Sequence, residues 1–172
     1  MTKSKPDLRV MVDANILIAG SVWPRWPYEV LLHAVAGDFQ LLLSPYIIAQ
    51  ARRQISKSFP EDSQRLERLL ELTNYELVKD PTERQLDKAA DLVRDPTDVP
   101  IALAAINAKV DYLVSEDKDL TAKDETTTEL RKHLTVLISG TFLREVMGWS
   151  SEEIERVRGR KWQDLKAPEE EK

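Results

Sequence analysis

Short apolar runs alternate along the chain with longer stretches in which apolar residues recur at helical spacing. The short, continuous runs predict strands at residues 8–12, 39–43, 75–78, 110–114 and 134–138. The longer stretches predict helices at residues 14–19, 28–36, 45–55, 61–72, 83–93, 99–108 and 141–147. This alternation predicts an α/β fold in which a central, mostly parallel sheet is flanked by helices.

Polar residues and prolines mark several element boundaries. Ser44 followed by Pro45 predicts the start of a helix, because Ser caps well and Pro is tolerated at the first helical position. Asp98 is suited to cap the helix at residues 99–108 in the same way. Residues 21–27, which contain Trp23 and Trp26 among prolines, are predicted to form a loop.

The chain has 172 residues, enough for one domain with a sizeable core. We assign that domain to residues 8–147, after an N-terminal extension at residues 1–7. A C-terminal helical extension is expected at residues 148–166, and the acidic tail, residues 167–172, is expected to be disordered.

Composition narrows the classes of protein to consider. The sequence has no cysteine, which excludes disulfides and thiolate metal sites and suits the reducing cytoplasm. No apolar stretch is long enough to span a bilayer, and the N-terminus lacks the apolar core of a secretory signal. A cytoplasmic location without membrane attachment is therefore expected. The formal net charge of −5 alone argues weakly against a nucleic-acid partner.

Five aspartates follow apolar segments in three separate parts of the sequence, and they change the meaning of that charge. They are Asp13, Asp95, Asp98, Asp117 and Asp119. In open α/β sheets, ligands bind outside the carboxyl ends of the strands, so these carboxylates are expected to gather there. A divalent cation would offset their mutual repulsion. Without these five charges the rest of the chain is formally neutral, so net charge does not exclude nucleic acid.

Three segments together resemble the PIN-domain family of metal-dependent ribonucleases. Residues 12–15, Val-Asp-Ala-Asn, are similar to the end of the family's first strand with its aspartate and asparagine. Residues 95–105 resemble the family's aspartates that lead into a helix of small apolar residues. Residues 111–120 resemble its strand followed by Ser, a spacer, Asp and a second acid. The likeness covers residues 8–145, and the order and spacing of the segments make it specific.

The resemblance implies a three-layer α/β/α fold and an endoribonuclease that uses Mg²⁺ or Mn²⁺. Within the family, the chain looks most like the bacterial toxins of toxin–antitoxin systems, which implies an RNA substrate and a small antitoxin protein as partner. A homodimer is left open. Asp13, Asp98 and Asp117 would then be the catalytic, metal-binding residues, and Asp95 and Asp119 outer ligands.

This assignment suits the chemistry, because divalent metals activate water and clamp phosphate oxygens during phosphodiester hydrolysis. Mg²⁺ needs only one or two carboxylates, with water and substrate completing its shell. Taken singly, Asp13 and Asp98 are equally well explained as helix caps. Asn15 is expected to orient Asp13 or to cap locally, and Ser115 to contact metal-bound water or to cap a loop.

Four basic residues are candidates to bind RNA phosphates: Arg25, Arg52, Arg53 and Lys118. Each of them is also explained as part of a solvated surface. Trp23 and Trp26 would stack on unpaired bases, fill a partner interface or pack under the loop. His33 and His133 lack the spacing of metal ligands, and we assign them no role in the site.

One position departs from the family. The helix after the second strand usually carries a Glu, and the matching residue here is Gln50, which is neutral. This supports a second hypothesis, in which the chain is a weakly active or inactive PIN-like module that binds RNA or protein. A phospho-accepting receiver domain is disfavoured, because no Asp follows the strand at residues 39–43. No G-x-G-x-x-G or P-loop motif is present either.

Overall fold

The computed structural model describes residues 7–165. Five parallel strands form one sheet in the order β3-β2-β1-β4-β5. The strands are β1 (Arg9–Val12), β2 (Gln40–Leu43), β3 (Glu76–Leu77), β4 (Tyr112–Val114) and β5 (Val136–Leu137). The predicted α/β fold with a parallel sheet is thereby confirmed, and the strands are shorter than the apolar runs that predicted them.

Ten helices in the described part of the chain connect and flank the strands, and short 3₁₀ turns join several of them. The helices are α1 (Ala14–Val22), α2 (Trp26–Val35), α3 (Pro45–Ser58), α4 (Ser63–Thr73), α5 (Glu83–Lys88), α6 (Val99–Asn107), α7 (Lys118–Thr121), α8 (Thr128–Arg131), α9 (Ser139–Glu145) and α10 (Ser151–Val157). The helices cover the central part of the sheet, where the apolar residues of β1, β2 and β4 are buried, whereas the edge strand β3 is exposed.

The two central strands bring distant parts of the sequence into register. In β1 and β4, Met11 pairs with Leu113 and Val12 with Val114. All four of these side chains are fully buried. The backbone N–H of Asp13 donates to the carbonyl oxygen of Val114 at 2.9 Å, so the pairing extends to the first residue after β1. The residues that follow β1 and β4 therefore lie side by side at one edge of the sheet.

The segment between α5 and α6 differs from its predicted form. The helix predicted at residues 83–93 begins with a capping box between Thr82 and Gln85, but it ends at Lys88. Residues 89–95 form turns that carry Val93 into the core, where it is 3% exposed. The structure thus favours burial of Val93 over continuation of a short helix that buries no residue completely.

The chain after α9 packs against the start of the domain. Arg160 forms an ion pair with Glu29 at 2.6 Å, and both side chains are mostly buried. The indole Nε1 of Trp162 donates to the carbonyl oxygen of Val22 at 2.9 Å, and the guanidinium of Arg65 lies over the Trp162 ring. These contacts hold the C-terminal segment on the junction of α1 and α2.

The described residues cover the two ends of the chain only in part. The predicted tail and all but one residue of the predicted N-terminal extension lie outside the described residues. The domain boundary at residue 148 stays a prediction. No helix in the described part of the chain is both long enough and apolar enough to cross a membrane.

Candidate metal centre

Three aspartates from distant parts of the sequence meet where the sheet's central strands end. Asp13 links β1 to α1, Asp98 precedes α6, and Asp117 precedes α7 beyond β4. One carboxylate oxygen from each lies within 4.8 Å of the others. Because each residue also stands at the N-terminal end of a helix, backbone N–H groups and the helix dipole favour negative charge at this place.

Asp13 is held by three donors. Its Oδ1 accepts from the backbone N–H of Ala14 at 2.6 Å, and its Oδ2 accepts from the Ser115 hydroxyl at 2.8 Å and from Asn15 Nδ2 at 3.2 Å. The Ser115 oxygen in turn accepts from the backbone N–H of Asp117 at 3.0 Å. Asn15 and Ser115 therefore fix the orientation of Asp13 relative to Asp117.

Asp98 is held quite differently. It is 6% exposed, it makes no side-chain capping bond to α6, and its Oδ2 has no hydrogen-bond partner among residues 7–165. In this turn the capping acceptor is Asp95 instead, whose Oδ1 accepts a hydrogen bond from the backbone N–H of Thr97 at 3.0 Å. A buried carboxylate oxygen without a donor is costly, and a hard cation would satisfy it. The donor set therefore fits Mg²⁺ or Mn²⁺.

Burial and mutual repulsion shift the protonation of these carboxyl groups. Burial, with the neighbouring Asp117 carboxylate adding to it, raises the pKa of Asp98 to about 8. Burial also raises the pKa of Asp13, although hydrogen bonds from Ser115 and Ala14 oppose that rise. Without a cation, the cluster therefore holds a proton at neutral pH, and a metal ion must displace it.

These shifts predict how the stability of the metal-free protein depends on pH. A carboxyl whose pKa is raised on folding binds more protons in the folded state, so its stabilising effect is complete below its ordinary pKa of 3.8 and is lost as pH rises through 8. The free energy of unfolding in EDTA should therefore fall from pH 5 to pH 8, by up to about 1.4 kcal/mol per pH unit for each proton.

Urea denaturation at several pH values measures this slope. The Asp98→Asn variant provides the control, because Asn does not titrate and the slope should flatten. A wild-type free energy of unfolding that rises between pH 5 and pH 8 would contradict the raised pKa of Asp98.

A second group of acids shares Asp98. Single oxygens of Asp95, Asp98 and Asp119 also lie within 4.8 Å of one another. Asp95 is exposed enough to keep its charge, and hydrogen bonds from the backbone and hydroxyl of Thr97 lower its pKa. Asp119 accepts two bonds from the guanidinium of Arg94, at 3.0 and 2.6 Å. The five predicted acids thus form two groups joined at Asp98.

Helix α3 lies beside these groups. The hydroxyl of Tyr46 donates to the Thr97 carbonyl oxygen at 3.1 Å. Burial and the charge of Asp98 raise the pKa of this tyrosine. Gln50 lies one turn further along, on the same face as Tyr46. Its Oε1 is buried and has no hydrogen-bond partner among the described residues. Gln50 therefore has an unsatisfied oxygen on the helix face that borders the acids.

The four predicted RNA-binding residues lie in different surroundings. Arg52 pairs with Glu67 of α4 at 2.7 Å, and Arg25 donates to the Arg160 carbonyl oxygen at 3.2 Å. Arg53 is exposed on the Tyr46 face of α3, and Lys118 is exposed between two of the acids. Arg53 and Lys118 are therefore better placed than Arg25 and Arg52 to meet a strand at the acids.

Sequence reasoning missed Tyr46 and Arg94 as residues of this site. Arg94 immediately precedes Asp95, and this adjacency is the one signal for Arg94 in the sequence. Tyr46 stands at the start of a predicted helix, where an aromatic residue carries no special meaning.

Of the two tryptophans predicted to lie in a loop, Trp26 is the first residue of α2. Its indole Nε1 donates to the Ile154 carbonyl oxygen at 2.9 Å, so its role is packing against the C-terminal segment. Trp23 is 39% exposed and packs edge-on against Phe59. His33 contacts Asp38 and Trp149, away from the acids.

Comparisons with known proteins identify the fold. The model of the PIN domain family matches residues 9–119. The structure is similar to that of PAE2754 from Pyrobaculum aerophilum, with a TM-score of 0.59 and 17% identity over 83% of this chain and 97% of that one. It is also similar to VapBC2 from Rickettsia felis, solved bound to a DNA fragment from its promoter, with a TM-score of 0.54 and 17% identity over 76% and 98% of the two chains. Among curated protein sequences, none matches significantly.

Proposed function

Because this chain belongs to the PIN domain family, we propose that it is an endoribonuclease that depends on Mg²⁺ or Mn²⁺. One observation carries the proposal: Asp13, Asp98 and Asp117 meet within 4.8 Å, and the buried Oδ2 of Asp98 lacks a donor within residues 7–165. A bound cation would supply the partner that this oxygen lacks once the cluster has released its proton.

The residues divide the work of the site. Asp98 and Asp117 would hold the ion through their carboxylates, with Asp13 as the third ligand. The bound ion would supply activated water and stabilise charge on the phosphate. Ser115 and Asn15 keep Asp13 oriented through their hydrogen bonds at 2.8 and 3.2 Å. Asp95 and Asp119, which share the neighbourhood of Asp98, would contact the ion through water.

Cleavage assays with single-stranded RNA test this function directly. Mg²⁺ or Mn²⁺ should support internal cleavage by the purified protein, and EDTA should abolish it. Cleavage that persists in EDTA would overturn the metal dependence and point to a contaminating nuclease.

Gln50 supports a second candidate, a PIN domain that binds RNA or protein with weak or no activity. A neutral amide at the position of the Glu expected from the family resemblance gives a cation less attraction than that Glu would. Calorimetry separates the two candidates. An active site should bind Mn²⁺ and release protons from the carboxyl groups whose pKa is raised. Absence of Mn²⁺ binding, together with binding of RNA, would favour the second candidate.

For the biological setting we propose a cytoplasmic toxin–antitoxin pair. The similar structure from Rickettsia felis is that of VapBC2, and this resemblance supports a small antitoxin as partner of the present chain. The partner would dock over the acids and direct an Arg or Lys towards Asp13 and Asp117, since a carboxylate cluster attracts a basic side chain as it attracts a metal ion. Whether the chain forms a homodimer stays open.

A further inference from the structure

Arg94 is the basic residue that the fold ties to the acids. Among residues 7–165, it is the one Arg or Lys that forms an ion pair with any of the five aspartates. Its Nε and Nη2 both donate to Oδ1 of Asp119, at 3.0 and 2.6 Å. The pair joins the segment before α6 to helix α7.

The backbone of Arg94 is anchored while its side chain stays accessible. The preceding Val93 is 3% exposed in the core. On the other side, the backbone N–H of Asp98 donates to the Asp95 carbonyl oxygen at 3.0 Å. The Arg94 side chain itself is 65% exposed. The backbone of Arg94 is therefore fixed in position, while its exposed side chain can exchange Asp119 for another partner.

The charges around it favour a change of partner when a polyanion approaches. Asp119 and Asp98 lie in one group of acids, and the buried, unpartnered oxygen of Asp98 calls for a cation there. Once a cation is bound, the Asp119 carboxylate has a second positive charge nearby, and its attraction to the Arg94 guanidinium contributes less. An exposed ion pair contributes little to stability. Arg94 can therefore leave Asp119 for a phosphate at a small cost in free energy. A guanidinium matches two phosphate oxygens in geometry and charge.

We propose that Arg94 rests on Asp119 in the free protein and moves to a backbone phosphate of the RNA strand when the strand enters the site. The substrate in this inference rests on the proposed ribonuclease function. Arg94 thereby supplies, next to a group of negative side chains, the local positive charge that an approaching phosphate chain needs.

The salt dependence of RNA binding tests this role. A fluorescent single-stranded RNA is titrated with protein in Ca²⁺, by anisotropy, over a series of KCl concentrations. Arg94→Gln should weaken binding about tenfold at low salt. It should also lower the slope of log affinity against log salt by about 0.7, the value for one phosphate contact on a single strand. Arg94→Lys should keep most of the slope, because the slope counts charge.

Arg158→Gln is the matched control. Arg158, the residue that ends α10, is also exposed and paired with an acid, Glu155, at 2.8 Å, and this pair lies outside both groups of acids. Its replacement should leave both affinity and slope unchanged. Asp119→Asn releases Arg94 and should tighten RNA binding, and adding Arg94→Gln should remove that gain. A slope that Arg94→Gln leaves unchanged, or that Arg158→Gln lowers equally, overturns the inference.

The outcomes separate the inference from the proposed function. RNA binding with a slope that depends on Arg94, but without cleavage in Mn²⁺ by any of the proteins, would overturn the ribonuclease and support the role of Arg94. Metal-dependent cleavage with a slope that does not depend on Arg94 would support the ribonuclease and overturn the inference. Complete lack of RNA binding would overturn both.

Discussion

The Asp98→Asn variant should lose metal-dependent RNA cleavage by about a thousandfold, because removal of a charged ligand forfeits several kcal/mol of transition-state stabilisation. Asp98 is the acid that both groups of three share, and its Oδ2 is the buried oxygen that lacks a protein donor within residues 7–165. Asn keeps the shape of the side chain and removes its charge, so the loss reports on metal chemistry and not on packing.

The same variant should remain folded, and in EDTA at pH 8 it should be at least as stable as the wild type. Burial raises the pKa of Asp98 to about 8, which means that the fold disfavours the ionised carboxylate. Cleavage rates measure the loss of activity, and urea denaturation measures the folding and stability of the variant. Asp87→Asn, at an exposed position in α5, is the control for a general loss of negative charge. If the Asp98→Asn variant cleaved RNA at the wild-type rate, the assignment of this site would be refuted.

The Gln50→Glu variant should bind Mn²⁺ at least tenfold more tightly than the wild type and should cut RNA faster. Gln50 has a buried Oε1 without a partner in the described part of the chain, on the face of α3 that also carries Tyr46. A carboxylate there adds one negative charge near a divalent ion. At about 4 Å and an effective dielectric constant of about 20, each pair of unit charges contributes about 4 kcal/mol, which repulsion from the other acids partly offsets.

The control for Gln50→Glu is Gln54→Glu, one turn further along the same helix. Gln54 is exposed and bonds to Ser58, so its replacement changes the net charge equally without adding a charge to the site. Calorimetry with Mn²⁺ and initial cleavage rates measure the response of both variants. Equal responses would show that Gln50 lies outside the metal's surroundings, and Asp95 would then be the first candidate for the missing charge.

These two substitutions also decide between the candidate functions. Loss of activity in Asp98→Asn with a gain in Gln50→Glu indicates a nuclease whose rate is limited by weak metal binding. If the wild type is inactive and the Gln50→Glu variant is active, the protein is a binding module, and the neutral amide of Gln50 is what prevents catalysis. In both cases the result depends on how much negative charge surrounds the metal ion.

Much of the fold follows from local pattern. The runs that form β1 and β4 are apolar on both faces, as buried parallel strands require, and Asp13 comes directly after such a run. The Ser44–Pro45 start of α3 also follows from local chemistry, and Ser44 does cap the helix by accepting from Ile47 N–H at 3.3 Å. Where a residue's environment is set by its immediate neighbours, sequence reasoning succeeded.

It failed where a residue's environment is set by distant contacts. Helical spacing predicted a helix at residues 83–93, yet α5 ends at Lys88 because burial of Val93 against the rest of the core outweighs a local preference. The same displacement turns Arg94 towards Asp119, 25 residues away along the chain. Trp162 and Arg160 likewise reach Val22 and Glu29 from the far end of the sequence.

The sequence by itself determined which acids could form a site, because strand ends in a parallel sheet meet at one edge. Only the tertiary structure decided how these acids differ from one another. Asp13 is satisfied by Ala14, Ser115 and Asn15, whereas Asp98 is buried without a donor for its Oδ2 among residues 7–165, and Asp119 is neutralised by Arg94. The physical reason is that desolvation and hydrogen bonding depend on neighbours in space, and these set the charge that each carboxylate can carry.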